Sequence, residues 1–136
     1  MSASRFVTLS TAASLMSLLA CSSATAPAPM AEGVWGGQEA SLVLTREGGS
    51  LSYPCGVGTM DPTWAVDANG QLTGNGQHFL GGGPVPVGGR PPHPARYVGT
   101  ISGNTLLLTV TLTDLNETIG PFHLQRGGPF VAESCL

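Results

Sequence analysis

Histidine is the side chain best suited to ligate a metal or move a proton near neutral pH, and the chain has three: His78, His93 and His123. They fall on different elements and share no ligand spacing of the kind a helical metal site shows. They read as isolated, exposed histidines, and no metal is expected. The carboxylates Glu32, Glu39, Glu47, Asp61, Asp67, Asp114, Glu117 and Glu133 sit mostly in turns or in the N-terminal tether. There they serve turn geometry and solubility rather than a paired acid and base. No serine occupies a G-x-S-x-G elbow. The glycines at 81–83 are followed by neither a lysine nor a helix, so no phosphate cradle is expected. Asn116-Glu117-Thr118 spells a glycosylation sequon but reads as a turn. The net charge of −3, five arginines and no lysine leave no basic footprint for nucleic acid. The sequence therefore argues against an enzyme and for no cofactor. Two convergent carboxylates or histidines of shifted pKa would argue the opposite.

The elements that must position these residues are strands. Residues 96–126, RYVGTISGNTLLLTVTLTDLNETIGPFHLQR, read as three of them in antiparallel succession. Gly103-Asn104 between two β-rich runs signals a two-residue hairpin, since both residues reach positive φ cheaply. That turn pairs Ile101 with Leu106, Gly99 with Leu108 and Tyr97 with Val110. With period two, Tyr97, Gly99, Ile101, Leu106, Leu108, Val110 and Leu112 then share an apolar face, and Val98, Thr100, Leu107, Thr109 and Thr111 share the other. For 113–117 the expectation is a three-residue loop with Asn116 left-handed. It sets Gly120 against Val110, Phe122 against Leu108 and Leu124 against Leu106. Pro121 cannot donate to a ladder, so it should mark an edge or a break in pairing.

Upstream, 41–45 is a strand with Leu42 and Leu44 inward, and Leu51, Tyr53 and Cys55 alternate on the next. Residues 56–62 read as a loop and 63–67 as a strand with Trp64 and Val66 inward. Asp67-Ala68-Asn69-Gly70 is a type I turn whose glycine takes the bulge, pairing Val66 with Leu72. Residues 71–80 form a further strand, 81–94 a long loop, and 130–135 a short last strand or a segment lying across one end. The fold class is all-β: an antiparallel up-and-down meander closing into a barrel of seven or eight strands, which removes its edges. A two-sheet sandwich is the alternative. The threonine-rich outward face does not suit a membrane-spanning barrel.

Residues 1–20 stand apart. Arg5 gives a positive start, 6–19 is apolar, and Leu18-Leu19-Ala20-Cys21 follows. This resembles the lipobox of bacterial lipoproteins, with Leu19 bulkier than usual at its position. The resemblance implies a signal peptide over 1–20, cut before Cys21. That cysteine would carry thioether-linked diacylglycerol and an acyl chain of the palmitate type on its amine. Several acyl chains anchor a protein without a membrane span. An ordinary secretory signal cut near 24–26 is the alternative. Residues 21–31 then form the lipidated cysteine and a Pro/Ala/Ser-rich tether, and 32–136 the barrel domain. Ser22 lacks the aspartate that favours inner-membrane retention in lipoproteins, so the cell envelope, and the outer membrane if the cell is Gram-negative, is the expected address. With Cys21 lipidated, Cys55 and Cys135 remain, and an oxidising compartment favours their pairing. The loop so closed, about 80 residues, is worth roughly 4–5 kcal/mol in the chain-entropy model.

Gly33-Val34-Trp35 resembles the G-x-W opening of lipocalins and their calycin barrel relatives, and the wider pattern resembles small bacterial lipoproteins. In the lipocalin family the tryptophan packs across the closed barrel end beneath a basic residue from the last strand. The resemblance assigns those parts to Trp35 and Arg126, in cation–π contact. The 81–94 loop exceeds what a connection needs. Its Arg90-Pro91-Pro92-His93 stretch is stiff, polyproline-like and cationic, and offers a protein partner a grip; a flexible exposed loop is the plain alternative. The function expected is a lipid-anchored, non-enzymatic envelope protein that contacts a protein partner in the manner of an inhibitor. The alternative is a lipocalin-like carrier of a small apolar ligand.

Overall fold

The computed structural model describes residues 31–82 and 84–130. The expected signal peptide, Cys21, most of the tether and Cys135 lie outside them. Nine strands follow one another: β1 Gly33–Gly36, β2 Ser41–Thr45, β3 Gly48–Tyr53, β4 Gly56–Met60, β5 Ala65–Val66, β6 Gln71–Leu80, β7 His93–Ser102, β8 Thr105–Leu112 and β9 Glu117–Arg126. All neighbours are antiparallel. β1 pairs with β9 and β4 with β6, closing an eight-strand barrel, while the short β5 takes the stretch of β6 edge that β4 leaves. An antiparallel meander puts alternate connections at the same end. The links 54–55, 81–92 and 113–116 therefore lie at one end, called here the loop end. The start of β1 and the finish of β9 lie at the other.

Turn chemistry sets the register. Ser102 pairs with Thr105, and Tyr97, Gly99 and Ile101 meet Val110, Leu108 and Leu106. Of the two hairpin residues, only Gly103 takes positive φ, at 58°, so the glycine alone carries the left-handed requirement of the turn. At 67–70 the amide of Gly70 donates to the Asp67 carbonyl (3.1 Å) and that of Asp67 to the Gln71 carbonyl (3.0 Å). Asp67 Oδ1 accepts from the amides of Asn69 and Gln71, each at 2.9 Å. Val66 thereby meets Leu72.

Three local expectations are corrected. Residues 56–60 are a strand, not a loop, and they supply the closure onto β6. Cys55 lies in the two-residue link between Tyr53 and Gly56, not on the strand. Gly120 does not oppose Val110; Ile119 does, with a register shift between Leu108 and Val110. The reason is local. Asn116 is left-handed as expected (φ 51°), but Gly120 at φ 100° precedes Pro121 and absorbs one extra residue as a bulge. Beyond it Phe122 and Leu124 regain Leu108 and Leu106.

Trp35, Leu42, Leu44, Leu51, Leu72, Tyr97, Leu106, Leu108, Val110, Leu112 and Leu124 are fully buried and fill the barrel. An eight-strand barrel has an interior just wide enough for such side chains.

Candidate functional site

At the end away from the loops, Trp35 pairs with Arg126 in the β1–β9 register. The Arg126 guanidinium carbon stands 4.3 Å over the indole. Trp35 Nε1 donates to the Ala31 carbonyl (2.9 Å), and Arg126 donates to the Glu32 carbonyl (3.1 Å). A second indole, Trp64, donates to the Thr45 carbonyl at 2.8 Å. These contacts stopper that end. Each of these donors finds a backbone oxygen, so the arrangement is structural.

The loop end carries the polar chemistry. His78 on β6 is not exposed, as the sequence suggested; it is fully buried. Its inward position follows from the period of β6, in which Leu72, Gly74 and His78 alternate to the interior. Its Nε2 lies 2.6 Å from Tyr53 Oη, and the two rings stack with centroids 5.4 Å apart. Its Nδ1 has no hydrogen-bond partner. Whichever way the shared proton runs between Nε2 and Oη, one ring nitrogen stays unsatisfied. Burial, and then the neighbouring His93, hold the His78 pKa below the ordinary histidine value. Tyr97 Oη donates to the Gln77 carbonyl at 2.8 Å. Burial first, then Tyr53 and Asp61, push its ionisation above the usual phenolic range. Burial and then Glu117 raise that of Tyr53. Phe122 completes the cluster, 5.3 Å from the Tyr53 ring. The result is a buried His–Tyr pair in which burial disfavours the charged form of each ring.

Above this cluster runs the 81–92 connection, shorter than expected because β7 begins at His93. Arg90 Nη2 donates to the Gly82 carbonyl (2.6 Å), Gly89 N to the Pro86 carbonyl (3.0 Å) and Gly81 N to the Cys55 carbonyl (2.7 Å). The loop is thus braced from within and tied to the β3–β4 link. On it, Val85 is 68% exposed and Val87 wholly so. Pro91 and Pro92 are exposed. His93 is drawn away from them: its Nδ1 meets Asp114 Oδ2 at 2.8 Å, joining the loop base to the β8–β9 turn.

His123 stands apart on the outer wall, in a cleft of about 820 Å³ between the 37–40 turn and the outward faces of Leu107 and Gln125. Among the described residues no three of His, Cys, Asp and Glu gather as a metal site would require, and no helix is long and apolar enough to cross a membrane. Cys55 is exposed at its turn and engaged in a bond rather than free.

The buried His78–Tyr53 pair was missed from sequence. Its one legible signal was the inward phase of residue 78 on a strand starting at Gln71. No family model matches the chain, and neither does any curated protein or solved structure.

Proposed function

We propose that this chain is a lipid-anchored protein of the cell envelope that works by contact with a protein partner, without chemistry of its own. In this reading Cys21 carries the lipid, residues 21–31 form the tether, and the barrel is a rigid mount for the 81–92 loop. The observation that carries the reading is the pair of exposed valines, Val85 and Val87, on a loop held in shape by its own hydrogen bonds. Apolar side chains presented on a preorganised surface segment mark an interaction site, because little ordering entropy remains to be lost on binding. Arg90, Pro91 and Pro92 add a stiff cationic shoulder, so an acidic or carbonyl-rich groove on an enzyme or wall-associated protein is the complementary shape. Pairing of Cys55 with Cys135 would fasten the C-terminal segment to the β3–β4 link that also holds Gly81. The outer membrane is the address if the cell is Gram-negative.

The carrier reading has less support. Leu42, Leu51, Leu72, Tyr97, Leu108 and Leu124 take the space a ligand would need. A fluorescent fatty acid should therefore gain no emission on mixing with the protein.

Capture from envelope extracts tests the contact reading. The intact chain should retain a specific protein, and the Val85→Ser/Val87→Ser variant should lose it. Equal recovery by both, or by neither, overturns the proposal.

A further inference from the structure

Two histidines from neighbouring strands face one another across the neck of the 81–92 loop. His78 on β6 and His93 on β7 are Cα partners and form the last pair of that ladder before the loop leaves. Directly opposed residues of an antiparallel pair stand about 4.5–5.5 Å apart at Cα, with side chains on one face. His93 has a carboxylate at hand, Asp114 Oδ2 at 2.8 Å. His78 has none. We propose that the pair is an acid-operated latch, in which protonation of His78 opposite His93 opens the neck and loosens the contact loop. The inference rests on the reading of 81–92 as the contact surface and names what regulates it.

The geometry around His78 leaves its charged form nowhere to go. From β3, Tyr53 offers a hydroxyl to Nε2. From β4, Gly58 lies directly opposite and brings no side chain. From β7, Tyr97 spends its proton on the Gln77 carbonyl, and His93 adds like charge. Of the nearby acids, Glu117 bears on Tyr53 and Asp61 on Tyr97, and neither bonds to His78. An imidazolium there would hold a second N–H with no acceptor inside an apolar barrel, which is a costly state. The cheaper route is for the half-buried Tyr53 to swing out and let water reach the ring.

The sign follows. The native pKa of His78 is held below the ordinary 6.5 by burial and by His93. An opened state therefore binds the proton more readily than the native one. Stability supplied by the neutral ring is complete above pH 6.5 and is lost as pH falls from there towards the native pKa. The open population can grow by at most about tenfold per pH unit well below 6.5, and because an opened His78 is already half protonated at 6.5, by at most about sixteenfold between pH 6.5 and 5.0.

Amide hydrogen exchange of the neck and loop, residues 78–93, tests this on the full chain without any partner. Rates are read from pH 7.5 to 5.0 after correction for intrinsic exchange. Wild type should open between about threefold and sixteenfold more at pH 5.0 than at 6.5. His78→Gln, which keeps a group for the Tyr53 hydroxyl but does not titrate, and His78→Leu should stay within twofold. His93→Gln leaves the buried ring in place and removes only the smaller of the two causes, so its response should fall part of the way from wild type towards the His78 variants. The latch is overturned if wild type is flat, if the His78 variants respond as wild type does, or if His93→Gln stays as steep. Should the buried substitutions unfold, the His93 variant alone decides. Because no partner is present, a failed latch leaves the capture result standing, and a failed capture leaves the exchange result standing.

Discussion

Replacing Gly58 by alanine should be among the most damaging small substitutions in the barrel. Gly58 lies on β4 opposite Leu51 on one side and His78 on the other. A Cβ built there overlaps Tyr97 Oη and stands 3.0 Å from His78 Nδ1 and 3.2 Å from Tyr97 Cζ. The Tyr97 ring is fully buried and cannot retreat freely. The hydroxyl must move, and its bond to the Gln77 carbonyl goes with it. Overpacking of this kind costs about 1–3 kcal/mol. Leaving a buried hydroxyl and carbonyl unpaired adds roughly 1–3 kcal/mol. Against this, exchanging glycine for alanine in a strand returns about 0.5–1 kcal/mol. A net loss of about 2–4 kcal/mol follows, a large part of the roughly 5–15 kcal/mol typical of a domain.

Tyr97→Phe alone removes the hydroxyl and should cost about 1–2 kcal/mol. In the double variant the Cβ and the hydroxyl no longer compete, so the two losses should fall short of their sum by more than about 1 kcal/mol, as directly touching residues do. Urea unfolding at pH 7.5, followed by the fluorescence of Trp35 and Trp64, measures all three. A neutral or stabilising Gly58→Ala, or strictly additive losses, would refute the packing described around His78.

Other perturbations read other parts of the account. Asp67→Ala removes the acceptor for the amides of Asn69 and Gln71 and should cost about 1 kcal/mol, seen as a lower urea midpoint at unchanged slope. Arg126→Ala should lose about 1 kcal/mol, mostly the contact of its exposed guanidinium with the indole, and should change Trp35 emission; Arg126→Lys should retain part of both. Cys135→Ser should lower stability by up to about 4–5 kcal/mol if Cys55 is its partner, and reduction of the wild type with a dithiol should match it. Cys21→Ser should release the chain from the membrane fraction, and the mature N-terminus should lose its lipid mass.

Two hairpins were legible because turn and face patterns agree at each. Gly103 and Asp67–Gly70 place their partners, and the leucines fall inward without adjustment. The strand at Gly56–Met60 was not legible for a physical reason. Its inward positions begin with glycine, at 56 and 58, so the apolar alternation that marks a strand is missing. Gly58 is bare because the Tyr97 hydroxyl occupies the space, a fact written far along the chain. The bulge at Gly120 was half legible. Pro121 signalled a break in pairing, but not which residue would be left over. His78 was hidden because a polar side chain at an inward phase looks like a surface residue until its partner is known, and Tyr53 is separated from it by 25 residues. Arg126 above Trp35 lay within reach of sequence only through a resemblance, since no local pattern links positions 35 and 126.

The contact claim is tested most directly by a photoreactive residue placed at position 87 in the living cell, with position 43 on the outer wall of β2 as the control. Val43 is also exposed, at 38%, but lies away from the loop. Illumination should give one specific protein adduct from position 87 and none from position 43. No adduct from 87, or the same adducts from both, would contradict the account.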